Sequence, residues 1–347
     1  MSQKRLKLAL VGCGAVTEYR HLPALTRRDD CEVVALVDRD EGRAKRLSTQ
    51  FKVPRILINY RDLLNCSVDA AIIALPNHLH APASIELLKS GIHVLVEKPM
   101  ALSVAECDRM LDAAEVGQAV LAVGLMWRFL HAGRFVKSAI ERNLFGRIIS
   151  FDMRLGFVFG WPLTSDFFFH KETAGGGVLI DTGVHTLDQL LWWLGDVRSF
   201  EYYDDSQGGV EAECELRIKL ISGAEGIIEL SRTRNLRNTA IIRGEQAEIE
   251  VGIGRNSISL RLPGSPVQVT GQGVQREQAT IAEQGQLDLI AAEHDDLLGA
   301  IHTGRPPAVP GTEARRSIAL IEACYRKRRP LQLPWTVMPP TPAYKEA

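Results

Sequence analysis

Residues 8–25 read LALVGCGAVTEYRHLPAL. A short apolar run reaches two glycines one residue apart, and a stretch with helical spacing follows. The apolar run suits a strand buried between layers. Gly12 and Gly14 then stand where a strand gives way to a helix. There, backbone N–H groups and the positive helix end can hold a pyrophosphate, and the absent side chains allow its close approach. Thr17 occupies the place of the third glycine of a G-x-G-x-x-G turn. The turn formed by Gly12, Gly14, Ala15 and Val16 is therefore expected to bind a dinucleotide. The next apolar run, EVVALVD, ends in Asp38, 24 residues after Gly14. This is close to the usual position of the acid that bonds the adenosine ribose hydroxyls. A carboxylate repels a 2′-phosphate, so Asp38 favours NAD. Arg39 and Arg43 stand close enough in sequence to leave NADP open.

Further runs extend this beginning. LKLALV, EVVALV, DAAIIAL, HVLVE and AVLAVG alternate with helix-like segments near 16–28, 41–51, 79–90 and 103–117. Such alternation predicts βαβ units and a parallel sheet, that is, a doubly wound Rossmann domain over residues 1–124. Residues 125–347 have a different pattern. A helix at 132–143, the strand-like GRIISFDMRLG and an aromatic loop lead into GGGVLIDTGVHTLDQLLWWLGD, read as a helix to about Leu194. ECELRIKLI, GAEGIIELSR, TAIIRG and AEIEVG then follow at short spacing. They predict an α+β domain with a largely antiparallel, open-faced sheet. Helices near 279–302 and 312–327 complete it, and the proline-rich tail after Pro330 is expected on the surface.

The chain of 347 residues is 46% hydrophobic, enough for a substantial core. Forty-one basic residues against 42 acidic ones leave a net charge of -1. No global field draws this chain to nucleic acid or to an anionic membrane. The six cysteines are scattered without a CxxC pair, which fits reduced thiols and a cytoplasmic location. No apolar stretch reaches the roughly 20 residues of a membrane span.

The run GGGVLIDTGVHTLD, residues 175–188, combines glycines with acids and a histidine. Helical spacing puts Asp181, His185 and Asp188 in one stripe beside an apolar stripe of Ile180, Val184, Leu187, Leu191 and Leu194. Partial desolvation at that border can move ionisation equilibria toward catalytic values, although structural pairs do the same.

GCGAVTEYRHLPAL, ALPNHLHAPASIELLKSGIHVLVEKPMA and the GGG helix, in this order, resemble the Gfo/Idh/MocA family of NAD(P)-dependent oxidoreductases. The likeness spans both halves of the chain. It implies a sugar, cyclitol or related derivative as substrate, and a homodimer or homotetramer. It also implies that the lysine of the EKP motif meets an aspartate and a histidine at the nicotinamide; these are Lys98, Asp181 and His185. Lys98 would stabilise a developing alkoxide and His185 take its proton, with Asp181 bonding the substrate or orienting the histidine. Glu97 and Lys98 end the HVLVE strand, at the sheet edge where doubly wound folds bind ligands, and Pro99 restricts the backbone of Lys98. Pro76, Asn77 and His80 follow DAAIIAL at the same edge and are expected beside the cofactor. His78 and His80 form an HxH pair without a third ligand motif, so no metal is expected. Arg128 is expected at the substrate or in a structural stack, and Trp161 either on a sugar face or in packing. The leading function is hydride transfer between a nicotinamide and a secondary alcohol or ketone carbon. A glycoside hydrolase that oxidises its substrate transiently and a non-catalytic NAD sensor are the alternatives.

Overall fold

The computed structural model describes residues 4–207, 209–262, 268–272 and 285–332. Six strands form the first sheet: β1 (Leu6–Val11), β2 (Cys31–Val37), β3 (Arg55–Leu57), β4 (Ala70–Ile73), β5 (His93–Glu97) and β6 (Leu121–Gly124). Their order is β3-β2-β1-β4-β5-β6 and every pairing is parallel. Helices on both faces explain the nearly continuous apolar runs: Leu8, Ala9, Leu10 and Val11 are all buried. The strand order turns back beside β1, and a ligand crevice opens at the carboxyl ends on either side of such a point. Gly12, Pro76–Asn77 and Glu97–Lys98 all emerge there.

The segment expected as one helix over 16–28 is instead a wide π-turn, Thr17–His21, followed by the single turn Leu22–Leu25. Thr17 is fully buried, and its hydroxyl donates to the Gly12 carbonyl at 2.6 Å. Pro23 has no N–H to continue a regular ladder.

The second sheet has nine strands. They are β7 (Ile148–Gly156), β8 (Val197–Asp204), β9 (Glu213–Leu220), β10 (Glu225–Ser231), β11 (Thr239–Gly244), β12 (Glu248–Gly252), β13 (Ser257–Arg261), β14 (Gln268–Gln272) and β15 (Arg329–Pro330), in the order β14-β13-β12-β11-β7-β10-β9-β8-β15. β8, β9 and β10 are antiparallel neighbours, as are β7, β11, β12, β13 and β14. β7 instead meets β10 in parallel, with a helical crossover and a meander between them in the chain, and β15 lies parallel to β8. Along β9, Cys214, Leu216, Ile218 and Leu220 face inward, while Arg217 and Lys219 are exposed on the open face.

The GGG run starts two helices rather than one. Val178–Asp181 and Gly183–Leu194 are separated at Thr182, whose hydroxyl turns back to the Val178 carbonyl at 3.3 Å. Glycine is required at the start: Gly175 has φ +86°, and a Cβ on Gly177 would collide with the Glu211 backbone. The Glu211 carboxylate accepts the N–H groups of Gly177 and Leu179 at 2.8 and 2.9 Å, and so holds the opening turn.

The last two helices return to the first layer. Leu297 and Leu298 of Gln286–Thr303 share a core with Leu6, Leu8, Leu10 and Leu36. Gly311–Arg326 lies against both Val104–Val116 and the helix carrying His185. The proline-rich tail lies outside the described residues. Among those described, no helix is long and apolar enough to cross a membrane.

Candidate active site

At the crevice, Lys98 Nζ donates to Asp181 Oδ1 at 2.6 Å and to the Asp181 carbonyl at 3.1 Å. The end of β5 thereby meets the first turn after the glycines. Arg232, one residue past β10, donates to Asp181 Oδ2 at 2.8 Å. Burial opposes the charged form of Asp181, but the two flanking cations prevail and its carboxyl is held below the usual range.

His185 is buried one helical turn beyond Asp181. Its ring stacks on Trp127 at 4.4 Å and 26°, and its buried Nδ1 has no hydrogen-bond partner. Burial first, and the Lys98 charge second, pull its pKa down to about 3. His185 therefore stands as a neutral imidazole with a free lone pair. The polar stripe expected at a half-wet border lies deeper than that, with Asp181 9%, His185 5% and Asp188 2% exposed.

Glu97 faces the other way. His21 Nε2 lies 3.0 Å from Glu97 Oε1, and the Lys98 N–H donates to Oε2 at 3.2 Å. Burial works against the charge, yet the His21 interaction, foremost its hydrogen bond, and then the Lys98 charge bring the carboxyl down to about 2. His21 Nδ1 in turn lies 3.0 Å from Nε2 of the buried His294. The EKP motif is thus braced from behind by a helix near the end of the chain.

The glycine turn has the form of a phosphate cradle. Gly12 has φ +101°, and a Cβ there would run into the Ala74 carbonyl, so the turn closes only with glycine. A Cβ on Gly14 would meet only Thr164 Oγ1, at 3.6 Å, which leaves the backbone of this turn approachable. Ala15 is buried and Val16 half-buried behind it. Asp38 Oδ2 accepts the Cys13 N–H at 2.8 Å, and Oδ1 accepts the Asp40 N–H at 2.8 Å. The acid is thereby fixed at the end of β2, beside the turn. The arginine near it is Arg43, at 3.5 Å, whereas Arg39 points outward and is exposed.

Pro76 is half-buried at the carboxyl edge, and Asn77 donates to the Ala174 carbonyl at 2.8 Å, tying this loop to the glycine run. His80 is not free to serve a cofactor. It is buried, with its two nitrogens 2.7 and 2.8 Å from the Pro99 and Leu75 carbonyls, and so acts as a strut between loops. Arg128 likewise takes its structural alternative. Nε and a terminal nitrogen donate to Asp188 at 2.7 and 2.6 Å, with the guanidinium 5.2 Å from the Trp192 ring. Trp161 lies half-exposed in the aromatic loop under the Arg20 guanidinium, at 4.7 Å. No cluster of metal-ligating side chains occurs among the described residues.

Sequence reading overlooked Arg232, Arg20 and His21. A signal for Arg232 was present: strand alternation places it on the face of Ile228 and Leu230, a cation on the buried side. No local pattern marks His21, because its partners Glu97 and His294 are distant in sequence.

Residues 6–125 match an oxidoreductase family with an NAD-binding Rossmann fold, and residues 134–250 match the Gfo/Idh/MocA C-terminal domain. The chain is 28% identical over 220 residues to D-glucoside 3-dehydrogenase of Escherichia coli (strain K12), a region covering 62% of each chain. It is 23% identical over 336 residues to myo-inositol 2-dehydrogenase of Thermotoga maritima, covering 91% of this chain and 94% of that one. The fold superposes on aldose-aldose oxidoreductase from Caulobacter crescentus with a TM-score of 0.82 at 23% identity, covering 93% and 97%. The chain thus spans about three fifths of the first of these curated relatives. With both domain matches in register and together covering more than half of its residues, the chain belongs to the Gfo/Idh/MocA family of oxidoreductases, whose N-terminal domain is an NAD-binding Rossmann fold.

Proposed function

We propose that this site transfers a hydride between a nicotinamide cofactor and a secondary alcohol or ketone carbon of a sugar, cyclitol or related derivative. One observation carries the reading: Lys98, from the dinucleotide-binding layer, closes to 2.6 Å on Asp181, one helical turn before His185. Lys98 pairs with Asp181 and its charge acts on His185, which supports grouping a cation, a fixed carboxylate and a proton acceptor at this end of β5. The relatives named as glucoside and inositol dehydrogenases support a carbohydrate-like substrate.

When bound, NAD supplies the hydride acceptor, and the chain supplies everything else. The glycine turn and Asp38 hold the dinucleotide, with Asn77 bordering it, and Asp38 favours NAD over NADP. Lys98 donates to the reacting oxygen and stabilises the charge that grows on it. His185 Nε2 or Nδ1 accepts the released proton, for which a neutral ring is needed. Asp181, held by Lys98 and Arg232, fixes the lysine and bonds a neighbouring hydroxyl.

The division of the chain at residues 124 and 125 is part of this proposal, supported by the end of the parallel sheet at Gly124. So are a homodimer or homotetramer, supported by the open face of the second sheet, and a cytoplasmic location, supported by six free cysteines. The test is a panel of sugars, cyclitols and aryl glycosides incubated with NAD. Accumulation of NADH with a free sugar or cyclitol is the expected result. Release of an aglycone without net NADH contradicts it and indicates a hydrolase.

A further inference from the structure

Arg20 leaves the cradle on the side of the reacting groups. Its guanidinium lies over the Trp161 ring, and one terminal nitrogen donates to Met126 Sδ at 4.0 Å, a weak acceptor. None of the ion pairs among the described residues includes it. Burial pulls this guanidinium below its usual value, with only the more distant Glu97 and Glu293 charges opposing. His185 also lies within electrostatic reach of it.

The local charges do not balance. Lys98 and Arg232 share a single carboxylate, Asp181, and Glu97 is engaged by His21 and the Lys98 backbone. Glu293 sits nearby with both oxygens buried and without a hydrogen-bond partner, and burial pushes its carboxyl well above the usual range. Lys98, Arg232 and Arg20 therefore face two carboxylates that are already engaged, Asp181 and Glu97. The nearby Glu293 carboxyl, whose charge burial disfavours, bonds none of the three. An oxidised nicotinamide ring adds a further positive charge. Such a half-desolvated excess is relieved by an anion. The form of Arg20 suits one, because Trp161 covers its flat face and leaves most of its edge donors without a protein acceptor. That planar fork matches a carboxylate or a phosphate.

We propose that the substrate of this site carries an anionic substituent, a carboxylate or a phosphate, and that Arg20, backed by Trp161, is the residue that receives it. This rests on the carbohydrate oxidoreductase reading and names the charge class of its substrate. Calorimetric titration of the NADH-loaded protein with D-glucose, D-glucuronate and D-glucose 6-phosphate tests it. At least one acid is expected to bind about tenfold or more tightly than glucose, and which acid does so separates carboxylate from phosphate. Arg20→Met should close that gap and Arg20→Lys should restore part of it, with thermal melting and NADH binding reporting that each variant is folded. Equal binding of glucose and both acids, a gap that survives in Arg20→Met, or no binding of any of the three overturns the proposal. Failure of the broader reading looks different: no sugar or cyclitol, neutral or acidic, then yields NADH in the turnover panel.

Discussion

Asp38 carries the choice of cofactor through one carboxylate, fixed by the N–H groups of Cys13 and Asp40 at the end of β2. Asp38→Ser should weaken NAD binding and improve the relative affinity for NADP, because the charge that repels a 2′-phosphate is gone while Arg43 remains. Titration with both nucleotides measures this, and an unchanged preference removes Asp38 from the cofactor site. At His185 the testable property is acidity. Its pKa lies near 3 rather than 6.5, owing first to burial and then to Lys98. A depressed value keeps the ring in its proton-accepting form as the pH falls. The kcat/KM for oxidation should therefore lose no activity to this group between pH 7 and 5. A histidine-like loss centred near 6.5, abolished in His185→Gln, contradicts the assignment. At this scale the legible residues were those whose chemistry local spacing announces: glycines after a strand, an acid after the next, a lysine at a strand end. His80 and Arg128 showed the same residue types, but their buried backbone and carboxylate partners are set by tertiary packing, which spacing alone does not encode.

Among the elements, the strands of both sheets were legible because alternation and apolar runs report directly which faces are buried. The two departures occur where backbone chemistry overrides periodicity. Pro23 and the Thr17 hydroxyl turn the first crossover helix into a π-turn, and Thr182 divides the helix after the glycines. That division separates Asp181, which turns toward Lys98, from the longer helix carrying His185 and Asp188. Asp188 anchors the longer helix through the fully buried pair with Arg128. Removing Asp188 leaves the buried Arg128 with only its longer contact to Glu313, at 3.4 Å. Asp188→Ala should thus destabilise the fold by about 3–5 kcal/mol, while Arg128→Met combined with Asp188→Leu should recover most of the loss. Urea unfolding midpoints measure both variants, and a single-variant loss below about 1 kcal/mol contradicts a structural role for the pair.

Over the whole molecule, the site exists only because distant parts of the chain meet. β5 supplies Lys98, the glycine run supplies Asp181 and β10 leads to Arg232, while the Gln286–Thr303 helix braces Glu97 through His294 and His21. A two-part architecture was legible from the change of pattern near residue 125. The return of the last helices onto the first layer was not, since an amphipathic helix does not state which layer receives it. Most expected cofactor contacts belong to the first layer, and the reacting groups belong to both. Binding and chemistry should therefore separate on mutation. The decisive measurement compares turnover and NAD affinity in Lys98→Met with the unaltered protein, on a sugar or cyclitol found active in the NADH panel. The site described here predicts turnover lowered by roughly 10²-fold or more, with NAD affinity nearly intact. A folded Lys98→Met protein that turns over at the unaltered rate contradicts it.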